Sequence, residues 1–208
     1  LSENGVTGIC IGAALNGTLV LMIHQRIDFV MLAMDQIVNN AAKWHYMFNG
    51  QSSVPIVIRV IVGRGWGQGP QHSQNLQALF AHIPGLKVVT PATAKDAKGM
   101  MVAALKDKNP VIFIEHRWLH HIEDTVPKEM YLSELSMAQI LRHGSDVTIV
   151  ANSLMTIESM KAAEALSEVG VEVEIVDLRS IKPIDLDTIL KSVSKTKNLI
   201  VVDSAWKT

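Results

Sequence analysis

The stretch VPIVIRVIVGRGWGQGPQHSQNLQALFAHIPGLKVV, residues 54–89, decides the fold. Its first part, Ile56-Val57-Ile58-Arg59-Val60-Ile61-Val62, is almost wholly apolar, β-branched and too short for a helix. Such a run predicts a strand buried on both faces, as in a parallel sheet. Glycines then alternate at Gly63, Gly65, Gly67 and Gly69, a spacing that lets a backbone approach a ligand or partner closely. The spacing is neither the dinucleotide fingerprint nor a P-loop, because no Gly-Lys-Ser/Thr follows. From about Ser73 the pattern predicts a helix with Leu76, Leu79, Phe80 and Ile83 on one side. His72 therefore stands at a loop-to-helix junction beyond a strand end, where α/β proteins place their chemistry.

Upstream, Ser2 reads as a helix N-cap and Glu3 as a first-turn carboxylate that complements the helix dipole. Small residues at positions 5, 8 and 12 would let that helix pack closely against another backbone. Thr18–Ile23 reads as a short strand, followed by His24-Gln25-Arg26, either a solvated loop or part of a site. Residues Asp28–Phe48 predict one amphipathic helix with Val30, Met34, Ile37, Val38, Ala41, Trp44 and Phe48 in a stripe.

Downstream, Leu86–Thr90 reads as a strand and Thr93–Asp96 as a capping-box variant. The helix it opens buries Ala97, Met100, Met101, Ala104 and Leu105, and Val111–Glu115 returns as a strand. His116 and His120 lie four apart, but no third ligand sits at metal-site spacing, so residues 116–121 read as linker or interface. Beyond the polar segment at Glu123–Pro127, a β-α-β-α-β order runs from Asp146 to Val202 and demands parallel strands with right-handed crossovers.

Composition narrows the classes. The 208 residues are 48% hydrophobic and only 19% charged, so a large core is expected and disorder is not. With 19 basic against 20 acidic residues there is no net field to attract nucleic acid or an anionic membrane. The single cysteine, Cys10, excludes an internal disulfide and fits a reducing compartment, the cytoplasm or, in a eukaryote, the mitochondrial matrix. No apolar run reaches a membrane span. Both ends read as cut inside a pattern, so the sequence is expected to be part of a longer chain.

Taken together, GPQHSQ (69–74), FAHIPGLKVVTPATAKDAKG (80–99) and KDKNPVIFIEH (106–116) closely resemble the β subunit of thiamine-diphosphate-dependent 2-oxo acid dehydrogenases, the pyruvate, branched-chain and acetoin E1 components. The resemblance runs from LSENGVTGICIGAALNG (1–17) through DQIVNNAAKW (35–44) to DLRSIKPID (177–185). It implies an α/β, parallel-sheet fold: a transketolase-like pyrimidine-binding domain over residues 1–122, a linker over 123–135, and an incomplete transketolase C-terminal-like domain over 136–208. It implies oxidative decarboxylation of a 2-oxo acid with acyl transfer to lipoamide.

By the same resemblance Glu3 meets N1′ of the thiamine aminopyrimidine and favours the tautomer whose 4′-nitrogen removes the C2 proton. Phe29 stacks near that ring, losing only the hydroxyl of the tyrosine often found there. Gln25 joins the cofactor contacts, and His72 faces the thiazolium to serve the substrate carboxylate and acyl transfer. A structural potassium ion is implied at Ile56, Ala104, Leu105, Asp107 and Asn109, mostly through main-chain carbonyls. His24, Gln25 and Arg26 depart from the better-known members, which leaves the substrate open.

No Gly-Asp pair occurs anywhere in the chain, so the usual Mg²⁺–diphosphate motif is missing. The resemblance places that half-site on an E1 α subunit, in an α2β2 assembly served by the lipoyl domain and core of an E2 acyltransferase. Two alternatives stay open: a transketolase or deoxyxylulose-phosphate synthase fragment, and a non-catalytic scaffolding homologue.

Overall fold

Alternation within the central run sorts its side chains between two cores. We describe residues 2–63 and 67–206 of a computed structural model. In chain order these are α1 (Glu3–Leu15), β1 (Val20–His24), α2 (Ile27–Val30), α3 (Trp44–Met47), β2 (Ile56–Val62), α4 (Gln77–His82), β3 (Lys87–Val89), α5 (Ala94–Lys106) and β4 (Val111–His116). Then follow β5 (Gln139–Arg142), β6 (Val147–Ala151), α6 (Leu154–Ser167), β7 (Val173–Asp177), β8 (Ser180–Lys182), α7 (Leu186–Thr196) and β9 (Leu199–Val202). The first sheet has the order β1-β2-β4-β3-β8, parallel from β1 to β3. Ile56, Ile58, Val60 and Val62 face a core with Ile11, Ile27, Val30 and Phe80, while Val57 faces Val89, Phe113 and Met100 of α5. Helices therefore cover both faces, as a parallel sheet requires.

The helix expected over Asp28–Phe48 is not one helix. After α2 the chain makes a 3₁₀ turn at Met31–Ala33 and a π-helical turn at Gln36–Ala41 before α3. The π turn, closed by Ala42 N–H on the Ile37 carbonyl at 2.9 Å, lets Ile37, Ala41 and Ala42 all bury. A straight α-helix would turn one of the two alanines outward. Phe48, expected in the buried stripe, is 48% exposed.

The helix expected from Ser73 begins only at Gln77, and Leu79 lies on its exposed side. Residues 74–77 instead spend their side chains on distant partners: Gln74 donates to Asp28, Asn75 to the Ser204 carbonyl and Gln77 to Asp203. Ser2 occupies the N-cap position of α1, but its side chain accepts no capping bond. Gly5 and Gly12 lie on the exposed side of α1, so no backbone of this chain packs there. The Thr93 cap does form, accepting from Asp96 N–H at 3.0 Å.

The second sheet has the order β5-β7-β6-β9, with β6 parallel to β7 and β9 as expected. Its antiparallel edge strand β5 carried no clear alternation and was not foreseen. The larger surprise is β8. The segment Ser180–Lys182, part of DLRSIKPID, leaves the second sheet and pairs antiparallel with β3 in the first, ahead of a cis Lys182–Pro183 peptide. Arg179, with φ of 55°, turns the chain there. Its guanidinium donates to Asp96 Oδ1 at 3.0 Å and to the carbonyls of Met137 and Glu134. The intervening segment is also pinned, because Lys98 donates to the carbonyls of Pro127, Lys128 and Glu129.

Under this joint lies Asp177, fully buried at the end of β7. Burial pushes its carboxyl up to about 7, against the pull of the Thr156 hydroxyl and Arg179 N–H, with nearby Asp96 adding to the rise. One oxygen accepts both of those donors and the other, Oδ2, has no partner. The folded state thus keeps a proton that the unfolded chain releases near pH 4. The associated stability is intact below about pH 4 and is lost as pH rises through 7. Asp177→Asn should flatten that slope, raising the melting temperature at pH 8 by several degrees over wild type while changing it little at pH 4. Parallel melting curves for both proteins across pH 4–8 would contradict this.

Candidate functional site

The parallel strands β1, β2 and β4 all point their C-terminal ends to one edge, and the chain leaves each through a polar segment. From β1 comes Gln25-Arg26, from the segment after β2 Gln68 and the 3₁₀ turn Pro70–His72, from β4 the 3₁₀ turn Arg117–His121. Together they line a cleft of about 590 Å³ walled by Gln25, Arg26, Phe29, Ile61, Gln68, His72, Arg117, His120 and His121. This is where open parallel sheets bind their ligands.

Of the residues singled out in the sequence, the cleft unites Gln25, Phe29 and His72. The rings of Phe29 and His72 meet edge to face, with centroids 5.3 Å apart. His72 Nδ1 is sealed from solvent and has no hydrogen-bond partner. Glu3 does not line the cleft. It sits half-buried in the first turn of α1, where its charge acts on His24 at the end of β1. Burial nevertheless keeps the His24 imidazole below its ordinary pKa, and its Nε2 also lacks a partner. Gly65 lies outside the described residues.

Within His24–Arg26, His24 and Arg26 are buried at 7% and 5% exposure while Gln25 is exposed, so the segment is not wholly a solvated loop. Residues 116–121, read as linker or interface, form the opposite wall. Sequence reasoning missed Arg117, His120 and His121, although their place just after a buried strand was a usable signal. His116 packs beneath them, its pKa pushed down to about 4 by burial and by the charge of His120. Its Nδ1 accepts from Trp118 N–H at 3.3 Å. Glu115 ties the wall to the sheet, accepting both from Arg59 Nε at 2.9 Å and from His120 Nε2 at 3.0 Å.

The Asp107–Asn109 turn, where the resemblance implies an ion, lies at the other end of the strands. Pairing of Val57 with Val111 brings Ile56 beside the end of the Asp107–Pro110 turn, and α5 packs on β2 and β4 so that Ala104 and Leu105 approach the same edge. Five residues of strand separate it from the cleft, roughly 17 Å. Burial alone would raise Asp107, yet Lys87 and the Asn109 amides hold its carboxyl below the usual range. Its side chain is thus occupied, which leaves main-chain oxygens as the donors for an ion. Among the described residues no three His, Cys, Asp or Glu side chains converge to hold a metal.

Comparison with known proteins decides the family. The model described as "Transketolase, pyrimidine binding domain" matches residues 1–121. The chain belongs to this transketolase family. A second model, "Transketolase, C-terminal domain", matches residues 136–208. Over 205 residues the chain is 47% identical to the acetoin:2,6-dichlorophenolindophenol oxidoreductase subunit beta of Cupriavidus necator, covering 99% of this chain and 61% of that protein. It is 43% identical over 206 residues to the pyruvate dehydrogenase E1 component subunit beta of Rickettsia felis, covering 99% and 63%. The chain thus spans about three-fifths of the length of these curated relatives. A solved split-gene transketolase, described as an inactive beta4 tetramer, superposes with a TM-score of 0.80 at 23% identity over 99% of this chain and 64% of its own, a likeness of fold. The expected family and the transketolase-like α/β fold therefore hold, and the curated relatives are E1 β and acetoin oxidoreductase β subunits.

One glycine of the run is dictated by this transketolase-type cleft. Gly63 has φ of +111°, and a Cβ on it would lie 2.5 Å from the His116 ring. Gly63→Ala should cost about 1–3 kcal/mol from backbone strain and overlap. The cost should shrink when His116→Ala is combined with it. Additive losses in denaturant unfolding of the two single variants and the double would refute the contact.

Proposed function

We propose that this chain is the β-type half of a two-component, thiamine-diphosphate-dependent 2-oxo acid dehydrogenase. The observation that carries the reading is the aromatic–imidazole pair Phe29–His72 in a cleft at the strand ends of a pyrimidine-binding family member. The pocket suits an aromatic ring with polar edges: Phe29 offers a partly exposed face, Gln25 an amide, and His72 an orphaned ring nitrogen.

Bound thiamine diphosphate would supply the nucleophilic carbon and the electron sink for decarboxylation. Phe29 would hold the aminopyrimidine by stacking and Gln25 would help to orient it. Glu3, on the first turn of α1, would hold a proton at the ring's N1′ once a partner closes the site over it. His72 would orient the substrate carboxylate and move a proton during acyl transfer to a lipoyl arm carried by an E2 acyltransferase. The diphosphate and its Mg²⁺ would be held by an E1 α subunit. An exposed apolar surface on α1 and β1, including Ile9 at 74% and Ile23 at 53%, supports such an obligate partner in an α2β2 assembly. Main-chain oxygens at Ile56, Ala104, Leu105, Asp107 and Asn109 would hold a structural potassium ion. Among the described residues no helix is long and apolar enough to cross a membrane.

In the full-length protein assembled with its α subunit, Glu3→Gln should slow deuterium exchange at C2 of bound thiamine diphosphate by about 100-fold or more, with cofactor binding and assembly retained. An unchanged exchange rate would refute the role of Glu3. Thermal unfolding of the same complex should come several degrees higher in KCl than in choline chloride at equal ionic strength. Equal midpoints would remove the potassium site.

A further inference from the structure

Arg26 is placed as no structural arginine needs to be. It occupies the N-cap position of α2 without a side-chain capping bond and is 5% exposed. Nη2 donates to Gln68 Oε1 at 2.5 Å, while Nη1 is sealed from solvent and, among the described residues, donates to nothing. A buried guanidinium without a carboxylate is costly unless something supplies the missing charge. The surroundings do not supply it. The cleft is lined by Arg26, Arg117, His72, His120 and His121 together with neutral groups, and among the described residues no acidic side chain lines it. The nearest opposing charge, Asp28, already accepts from Gln74, and Glu115 is engaged by Arg59 and His120. Burial and the charge of Arg117 both work against ionised Arg26, as expected of a cation awaiting a counter-charge.

The two kinds of relative differ in the relevant respect. One is named for acetoin, a neutral hydroxyketone, and another for pyruvate, an anion. Arg26 separates these cases, because a buried guanidinium gains most from a carboxylate oxygen. We propose that Arg26 is a specificity-determining residue whose Nη1 donates to the carboxylate of the substrate, so that the cleft prefers an anionic 2-oxo acid to a neutral acyloin. The proposal rests on the thiamine-dependent reading for the chemistry that follows, but the anion contact itself needs no cofactor.

The test uses the full-length protein assembled with its α subunit. Calorimetric titration with oxamate, an unreactive isostere of pyruvate, measures the contact directly. Steady-state kinetics with a panel of 2-oxo acids and with acetoin measures its use. Arg26→Gln should weaken oxamate binding about ten- to a hundredfold and raise KM for the 2-oxo acids by a similar factor. Their kcat should change little, the KM for acetoin should stay within about twofold, and Arg26→Lys should restore part of the loss. Equal effects on acids and acetoin, or no effect on either, would overturn the proposal. So would a wild-type complex that binds thiamine diphosphate but neither oxamate nor any 2-oxo acid. Dissociation of Arg26→Gln on gel filtration would also overturn it, by showing that Arg26 pairs with a partner subunit's acid. Failure of the wild type to bind thiamine diphosphate would instead sink the enzymatic reading, with the oxamate titration still deciding the role of Arg26.

Discussion

Burial of the β2–β4 pair on both faces is the constraint from which the rest follows. Strands whose every side chain meets a helix layer leave no room for unpaired polar groups along their length. Arg59 is the exception that proves the cost, since it survives there only by a two-point pairing with Glu115, and Glu115 raises its pKa further. Polar and titratable side chains are thereby pushed to the strand ends. At one end they form the cleft, at the other the Asp107–Asn109 turn. The separation of the cleft from the Asp107–Asn109 turn is a product of sheet geometry.

Much of this was legible in the residues. The β-branched runs marked every buried strand of both sheets, because an apolar stretch of that length has few other fates. Thr93 announced its helix through capping chemistry, which is local and survives any tertiary context. What was not legible was set by distant partners. The π turn at Gln36–Ala41 exists because Ala41 and Ala42 must both bury, and the Ala42 carbonyl packs so close to Gly85 that a Cβ there would lie 1.9 Å away. The delayed start of α4 reflects bonds to residues 203 and 204, far along the chain.

The site divides in the same way. Phe29 and His72 could be read from motif and position, since each follows a recognisable strand. Arg26 could not be weighed from the sequence, because an arginine after a strand is usually solvated and only the packing of Gln68 and Phe29 around it says otherwise. The His116–His121 segment misled for a related reason. Its histidine spacing invites a question about metals, whereas the useful fact is that β4 delivers it to the rim, with His116 tucked beneath Gly63.

The crossing of β8 into the first sheet bears on how this architecture can be rearranged. Cutting the chain after residue 122 would strip β3 of its antiparallel neighbour and expose its main-chain donors and acceptors as a template for intermolecular pairing. It would also remove the guanidinium that holds Asp96 at the start of α5. Chimaeras that exchange the first domain alone should therefore precipitate unless they carry residues 179–183 along. The first sheet is completed only by a strand from the later part of the chain.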